Sequence, residues 1–328
     1  MAKENMRFSW ATLGCGAIAG EMAQAMKRLG GGFCGVAGRR PEKAHAFAAA
    51  YGIEKVYEAP DELFRDPDID IVYISTPHNT HAPYICRALA AGKHVLAEKS
   101  ITLNSAELSR AAALAEEKHR ILAEAMTLYH MPLLKKLDEL VRSDALGALH
   151  IAQLNFGSDK PYDEKNRFFS KALAGGALLD IGIYALSCAR WFMSEKPEEL
   201  LSQVRLAATG VDEEAGILLK NRAGEMAAVT LSLRAKQPKR ATLAFDKGYI
   251  EIFDYPRADK ATIVWTEGAC REEIAAGAAD DALGCEVLDM EAAVAGEANA
   301  MHLDYTADVM EIMTRLRRAW GLQYPEEA

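Results

Sequence analysis

The sequence predicts a two-domain α/β protein, with a doubly wound parallel sheet in the first domain and an α+β second domain built on an antiparallel sheet. Short apolar runs alternate with amphipathic stretches as far as about residue 125, which is the pattern of β-α-β units. A glycine-rich loop stands between the first apolar run and the first helix. From residue 148 onward, strand-like runs follow one another without intervening helices, which indicates antiparallel pairing.

Residues 1–125 form the first predicted domain. Pro41 opens a helix in the first-turn position, where its missing N–H costs no hydrogen bond, and Gly92 ends another. The predicted strands are 8–13, 33–37, 69–74, 94–97 and 121–123, and the predicted helices are 19–29, 41–51, 82–91 and 105–118. These repeated units predict one open parallel sheet.

Residues 126–328 form the second predicted domain. A helix at 132–143 follows the boundary, and an amphipathic helix at 302–320 lies near the end of the chain. The predicted strands between them are 151–156, 216–219, 227–233, 241–245 and 249–253.

Composition and charge exclude several classes of protein. Hydrophobic residues make up 50% and charged residues 26% of the 328 residues, which is typical of a folded globular chain. The net charge of -9, with bases scattered among acids, argues against a nucleic-acid partner. Residues 1–10 lack the apolar stretch of a signal peptide, and we find no run approaching the roughly 20 apolar residues of a membrane span. We therefore expect a cytoplasmic protein that does not contact membranes.

The six cysteines predict neither a metal site nor a disulfide framework. They include no C-x-x-C pair and do not cluster with histidines at metal-ligand spacing. We therefore expect reduced thiols and no bound metal.

The loop Gly14-Cys15-Gly16-Ala17-Ile18-Ala19 has the G-x-G-x-x-A pattern of a dinucleotide-binding Rossmann domain. The first glycine permits a tight turn, and the second lets the backbone approach a pyrophosphate at the helix N-terminus. The pattern alone is also compatible with an ordinary turn. Its position between a predicted strand and a predicted helix favours cofactor binding by residues 14–18.

Two arginines follow the second predicted strand, where an NAD enzyme usually has an acidic residue for the ribose 2′-hydroxyl. Arg39 can pair with a 2′-phosphate through its planar guanidinium, and Arg40 adds a second charge beside it. The pair predicts NADP as cofactor, with NAD possible. The alternative is a solvated surface pair in a protein that uses both cofactors.

A longer stretch of sequence resembles the glucose-fructose oxidoreductase and inositol dehydrogenase family. Ile74-Ser75-Thr76-Pro77-His78-Asn79-Thr80-His81 is similar to a loop of that family, and Ala91-Gly92-Lys93-His94-Val95 followed by Glu98-Lys99-Ser100 is similar to its A-G-K-H-V and E-K-P motifs. Ser100 replaces the proline, which leaves the local backbone geometry open. The resemblance extends over nearly the whole chain.

The family resemblance implies roles for these residues. Ser75, Thr76, Pro77, His78 and His81 are expected to line the nicotinamide side of the cleft. Glu98 is expected beside the cofactor, and Lys99 is expected to be catalytic near nicotinamide and substrate. The H-x-x-H spacing of the two histidines also fits a metal site, but no third ligand lies nearby in sequence.

The second candidate constellation runs from Gly175-Gly176 to Tyr184. If the segment is helical, Asp180 and Tyr184 share one face at i and i+4. The family commonly has G-G-x-x-x-D-x-G-x-H here. Tyrosine in place of that histidine is similar to dimeric dihydrodiol dehydrogenases and glucose-fructose oxidoreductase. By this resemblance Tyr184 is the acid/base candidate, helped by the Lys99 cation, and Asp180 orients substrate hydroxyls.

The resemblance implies an oxidoreductase acting on an aldose, a cyclic polyol or a trans-dihydrodiol, and Arg39 predicts that it depends on NADP. It also implies a large open antiparallel sheet that buries one face in a homodimer or homotetramer, and a second-domain helix that brings Asp180 and Tyr184 opposite Lys99. Two alternatives remain, namely an NAD-linked inositol dehydrogenase and a non-catalytic nucleotide-sensing regulator such as the yeast galactose repressor. The segment at Arg167-Phe168-Phe169 is either a substrate contact or a surface loop.

Overall fold

The computed structural model of the protein describes residues 6–327. The chain divides into two compact units, of which the first contains residues 6–125 and 281–303 and the second contains 126–280 and 304–327. The division expected from the sequence had assigned 281–303 to the second domain, and the structure assigns them to the first. Residues 1–5, part of the segment inspected for a signal peptide, and residue 328 lie outside the described residues.

The first unit contains a six-stranded parallel sheet in the order β3-β2-β1-β4-β5-β6. Its strands are β1 (Trp10–Leu13), β2 (Phe33–Ala37), β3 (Lys55–Tyr57), β4 (Ile71–Ile74), β5 (His94–Glu98) and β6 (Leu122–Ala125). Every residue of β1, β4 and β6 is buried, so both faces of the sheet are covered. The doubly wound Rossmann architecture predicted from the sequence is confirmed.

The helices connect the strands of the first unit and cover the sheet of the second. In the described part of the chain they are α1 (Ala17–Arg28), α2 (Pro41–Tyr51), α3 (Pro60–Arg65), α4 (His81–Ala90), α5 (Ser105–Glu117), α6 (Thr127–His130), α7 (Pro132–Arg142), α8 (Ile183–Phe192), α9 (Ala282–Val294) and α10 (Leu303–Ala319). The sequence did not predict α3, α6 or α9.

Helix α9 belongs to the core of the first unit. Val287 and Met290 of α9 share one buried cluster with Met22 and Met26 of α1. The buried Glu291 carboxylate also accepts a 3.0 Å hydrogen bond from the indole N–H of Trp10 on β1. These contacts are the physical reason why residues 281–303 belong with the first unit.

The second unit contains an eight-stranded sheet in the order β14-β13-β12-β11-β7-β10-β9-β8. Its strands are β7 (Leu149–Gly157), β8 (Glu199–Leu206), β9 (Asp212–Lys220), β10 (Met226–Ser232), β11 (Gln237–Phe245), β12 (Gly248–Phe253), β13 (Lys260–Trp265) and β14 (Arg271–Ala275). Neighbouring strands are antiparallel except β7 and β10, which are parallel. The large antiparallel sheet is therefore confirmed apart from this central pair.

The helical stretch Lys171–Phe192 differs from the expectation that no run in the sequence approaches the length of an apolar membrane span. It is long and apolar enough, by length and composition, to span a bilayer, but 83% of its apolar window is buried inside the protein. Part of this burial comes from close packing on the sheet, since a Cβ on Gly182 would lie 2.7 Å from the Leu231 side chain of β10. Such burial is typical of the core helix of a globular domain.

Candidate functional site

The predicted nucleotide-binding residues of the first unit gather at the carboxyl ends of four adjacent strands. Gly14 follows β1 and donates its N–H to Ala37 O at the end of β2 (2.9 Å), while Ser75 follows β4 and donates to Leu13 O (2.9 Å). Lys99 follows β5, the next strand. In the strand order 3-2-1-4, ligands bind where the order reverses, between β1 and β4.

The two glycines of the loop, Gly14 and Gly16, have different surroundings. Gly14 has φ +126°, and a Cβ there would lie 2.5 Å from Ser75 Oγ and 2.8 Å from Ser75 O, so only glycine fits. A Cβ on Gly16 would meet nothing within 4 Å. Helix α1 begins at Ala17, which Ile18 follows. It has no side-chain cap and no acidic residue in its first turn, so its N-terminal N–H groups are suited to binding an anion.

Basic residues surround the end of β2. Arg39 and Arg40 are exposed, and within residues 6–327 no ion pair engages either guanidinium. Cys15 lies against this turn, since a Cβ on Gly38 would be 2.8 Å from its sulfur. Burial raises the pKa of the Cys15 thiol, and the positive charge of Lys43 opposes this effect. The thiol is therefore protonated at neutral pH and behaves as a small packing group.

The loop after β4 has a buried polar group. Ser75 Oγ is buried and has no hydrogen-bond partner within the described chain. Thr76 accepts a 2.7 Å hydrogen bond from the Thr80 hydroxyl, while Pro77 is exposed and its carbonyl also lies 2.7 Å from that hydroxyl. Thr80 therefore stabilises this loop and does not cap α4 with its side chain.

The two histidines of the H-x-x-H pattern hold the backbone that follows β5. His78 Nε2 lies 3.1 Å from Lys99 O, and His81 Nδ1 lies 3.0 Å from Ser100 O. The second ring nitrogen of His81 lies 2.7 Å from Thr76 O. Among the residues that the structure describes, no group of three His, Cys, Asp or Glu side chains could hold a metal ion.

His81 was expected to line the cofactor cleft, and the structure corrects this expectation. Its side chain is 0% exposed, so a bound molecule cannot reach it without rearrangement of the protein. Burial lowers the pKa of the imidazole, so the ring is neutral at neutral pH and donates one hydrogen bond. We assign His81 to the support of the loop, while the half-buried His78 keeps a surface for a ligand.

The E-K-S segment combines a buried acid with an accessible lysine. Glu98 is 9% exposed and accepts a 2.5 Å hydrogen bond from the Tyr73 hydroxyl, so its carboxylate is already engaged by β4. Lys99 is half-buried, and the peptide bond between Lys99 and Ser100 is cis. Ile101 N–H then donates to the buried Glu124 carboxylate at 2.9 Å. The backbone on both sides of Lys99 is therefore held by side chains.

In the second unit, Asp180 lies within a π-helical turn, Leu178–Gly182, that leads directly into α8. Such turns occur frequently at functional sites. A Cβ on Gly175 would lie 2.6 Å from Arg167 O, and Gly176 has φ +130°, so both glycines are required where the 167–168 backbone approaches. Asp180 and Tyr184 lie on consecutive helical segments, and their position on one shared face stays a prediction.

A cation stands beside Asp180. Asp180 is 8% exposed, and its Oδ1 lies 3.5 Å from Arg167 Nη2. Arg167 itself stacks over the Phe168 ring, with its guanidinium carbon 4.3 Å from the ring centroid. Phe168 O also accepts a 3.0 Å hydrogen bond from Gly176 N. Arg167, which the sequence left open as a surface residue, is thus fixed beside the candidate aspartate.

Tyr184 is half-buried among aromatic side chains. Its ring centroid lies 6.1 Å from that of Phe156 on β7, which in turn makes an edge contact with Tyr255. Burial, and the proximity of Cys188 and Tyr184, raise the pKa of Tyr255 well above its ordinary value. Tyr255 is buried and stays protonated, so Tyr184 is the partly accessible phenol of this pair.

One further residue near the second constellation could not be identified from sequence. Asp212, at the start of β9, accepts a 2.6 Å hydrogen bond from Leu178 N at the first turn of the Asp180 segment. The two residues are 34 positions apart, and only the sheet topology brings them together.

Family models match both parts of the chain. Residues 8–126 match an oxidoreductase family with an NAD-binding Rossmann fold, and residues 134–251 match the GFO/IDH/MocA C-terminal domain. The chain belongs to the Gfo/Idh/MocA oxidoreductase family. The resemblance inferred from the sequence is confirmed, and the chain is an oxidoreductase with a Rossmann domain for a nicotinamide dinucleotide.

Several curated relatives of this family member are named trans-1,2-dihydrobenzene-1,2-diol dehydrogenase. The mouse protein is 32% identical over 251 residues and covers 75% of each chain. The rabbit protein is 34% identical over 243 residues, or 73% of each chain, and the human protein is 31% identical over 253 residues, or 76% of this chain and 75% of its own.

Solved structures share the fold at lower identity. The aldose-aldose oxidoreductase of Caulobacter crescentus superposes with a TM-score of 0.84 at 24% identity, covering 96% of this chain and 98% of its own. The 3-ketoreductase KijD10 of Actinomadura kijaniata, solved with NADP and TDP-benzene, gives a TM-score of 0.83 at 24% identity, covering 95% and 97%.

Proposed function

We propose that this family member is an NADP-dependent dehydrogenase or reductase acting on a carbohydrate-like alcohol, with a trans-dihydrodiol as the first substrate to test. The observation that supports NADP is the turn after β2, where Arg39 and Arg40 are exposed and no acid occupies the ribose position. The relatives named above motivate the choice of a diol.

The residues of the first unit fit a dinucleotide. Open space at Gly16 and the uncapped start of α1 suit the pyrophosphate, and the unpartnered Ser75 hydroxyl is a free polar group at the edge of the same loop. Arg39 would pair with the 2′-phosphate. His78 and the exposed Pro77 would lie against the rest of the cofactor.

The chemistry is divided among three side chains. When bound, the nicotinamide accepts or supplies the hydride. Tyr184 is the proposed acid/base group, which takes the substrate hydroxyl proton during oxidation and returns it during reduction, and Lys99 is the proposed catalytic cation. Asp180 accepts hydrogen bonds from substrate hydroxyls, and the Arg167 guanidinium provides a positive charge 3.5 Å from its Oδ1.

Cofactor titration by calorimetry tests the proposal. We expect NADPH to bind more tightly than NADH, and Arg39→Ala to weaken NADPH binding about 10- to 100-fold while leaving NADH unchanged, since a hydrogen bond to a charged group contributes about 1.5–3 kcal/mol. Arg110→Ala, which removes an exposed arginine of α5, is the matched control. Turnover is then screened with trans-dihydrodiols, aldoses and cyclic polyols.

The two alternatives predict different outcomes. Preference for NADH and turnover of an inositol would identify an NAD-linked inositol dehydrogenase. Tight nucleotide binding without turnover of any alcohol or carbonyl compound would identify a nucleotide-sensing regulator. Absence of nucleotide binding would contradict the assignment of the glycine loop.

We also propose a cytoplasmic homo-oligomer, either a dimer or a tetramer. The outward face of the second sheet exposes apolar side chains: Leu201 on β8 is 71% exposed, and its cross-strand partner Leu218 on β9 is 45% exposed. Contact with a second subunit would remove this apolar surface from water. All six cysteines are free, which is typical of a reducing compartment.

A further inference from the structure

The carboxylate of Asp212, a residue of β9 that is distant in sequence, lies at the start of the helix that carries the candidate catalytic residues. Asp212 is 0% exposed, and its Oδ2 accepts a 2.6 Å hydrogen bond from Leu178 N. Its other oxygen faces Gly176 closely enough that a Cβ on that glycine would lie 2.1 Å away. The segment has no side-chain cap from its own N-cap residue, Ala177. Asp212 therefore supplies from β9 what a local capping residue usually supplies.

The same helix start is held from the C-terminal end of the chain. The buried Tyr324 hydroxyl donates a 2.6 Å hydrogen bond to Gly175 O. Arg317 of α10 lies near Asp212, but its guanidinium is bonded twice to the Glu327 carboxylate, at 2.7 and 2.8 Å. Near Asp212, the Arg317 cation lowers the pKa of the carboxyl, and the buried Tyr324 phenol is neutral because its pKa is raised. Within residues 6–327, no ion pair engages the Asp212 carboxylate, and its Oδ1 has no hydrogen-bond partner.

We propose that Asp212 is a positioning residue: its carboxylate fixes the π-helical turn, and thereby the directions in which Asp180 and Tyr184 project. Ionised, it accepts a charge-assisted hydrogen bond from Leu178 N at the positive end of the helix. Protonated, it loses the charge and part of its acceptor capacity, and the turn loosens. The effect of Asp212 on catalysis rests on the proposed function, whereas its effect on the conformation of the turn does not.

The burial of Asp212 also affects its protonation, which supports the geometric argument. Burial raises the pKa of Asp212 to about 7, while the main-chain N–H groups of the helix start oppose the shift. The folded protein therefore binds one more proton than the unfolded chain between about pH 4 and 7, so stability falls as pH rises through this range and stays constant above it. Asparagine has the same shape and an acceptor for Leu178 N, but it cannot ionise.

Urea unfolding of the full-length protein from pH 4 to 8, without any ligand, compares wild type with Asp212→Asn. Because the pKa of Asp212 lies about three pH units above its ordinary value, the ratio of the two unfolding constants is expected to change about 1000-fold across this range, with the variant the more stable at pH 8. Asp246→Asn, at an exposed carboxylate paired with His150, is the control, and its ratio should stay nearly constant because the lowered pKa of Asp246 lies below this pH range. An unchanged ratio for Asp212→Asn would contradict the raised pKa of Asp212.

Hydrogen exchange and kinetics then test positioning. Asp212→Ala is expected to speed exchange of the amides of residues 177–182 about tenfold or more, and Asp212→Asn much less. With a substrate from the screen, wild-type kcat/KM should rise through pH 7, and Asp212→Asn should lack this inflection. Unchanged exchange in Asp212→Ala would refute the positioning role even if no substrate is found. If Asp212→Ala does not fold, wild type and Asp212→Asn are compared at pH 6 and 8 by the protection factors of these amides, which correct for the intrinsic pH dependence of exchange. Protection that changes with pH in wild type alone supports the proposal, and an equal change in both refutes it.

Discussion

The two glycines of the nucleotide loop give the sharpest prediction, because one is required by the fold and the other by the proposed cofactor. In Gly14→Ala, a side chain must adopt φ +126°, which costs about 1–3 kcal/mol. Its Cβ would also lie 2.8 Å from the Ser75 carbonyl oxygen. That backbone is fixed by the hydrogen bond to Leu13, so it cannot move cheaply. We expect a total loss of about 3 kcal/mol or more and a fall in Tm of about 10 °C.

Gly16→Ala is the matched variant. Gly16 has φ -81° and open space around it, so alanine there should change the free energy of unfolding by only a few tenths of a kcal/mol. Its methyl group would, however, occupy the position where the pyrophosphate approaches the backbone, and we expect NADPH affinity to fall at least about tenfold.

Thermal unfolding without ligand and calorimetric titration with NADPH measure the two effects separately. A folded Gly16→Ala protein that binds NADPH as tightly as wild type would refute the assignment of this loop to the pyrophosphate. A Gly14→Ala protein within about 0.5 kcal/mol of wild type would refute the steric argument.

Three further predictions concern catalysis, loop support and assembly. Tyr184→Phe should lower kcat about 10²- to 10⁴-fold with unchanged NADPH affinity, and intact turnover would remove the acid/base role. His78→Leu, which loses the hydrogen bond to Lys99 O, should reduce kcat/KM more than His78→Gln, which keeps a donor; equal kinetics in both variants would contradict loop support. Leu218→Asp should dissociate the oligomer in light scattering, while a monomeric wild type would contradict the proposed assembly.

Much of the first unit could be predicted because its signals are local. The strand 33–37 and the helix 41–51 are observed with the predicted bounds, since an apolar run and an N-terminal proline mark them within a few residues. Strand β3 was missed because its three residues are only half-buried and show no periodicity. Helix α9 was not predicted as part of this unit, because the contact of Glu291 with Trp10, nearly 300 positions away, produces no local pattern in either segment.

The residues of the candidate site also divide into those with a local sequence signal and those without one. Gly14 and Gly16 could be assigned from spacing, because their strand and helix neighbours are adjacent in sequence. The histidines were recognised, but their hydrogen bonds to the carbonyls of Lys99 and Ser100 depend on the neighbouring positions of β4 and β5. Asp212 had no local signal, since an aspartate at the start of a strand is unremarkable until the helix it faces is known.

The return of residues 281–303 to the first unit affects how the chain folds during synthesis. When residue 125 leaves the ribosome, all six parallel strands are present, but the surface of α1 that Val287 and Met290 will cover is still exposed to water. Glu291, the acceptor for Trp10, is also not yet made. The nucleotide-binding unit can therefore be completed only after α9 has been translated, so a nascent chain stalled before α9 would be exposed to aggregation and would depend on chaperones.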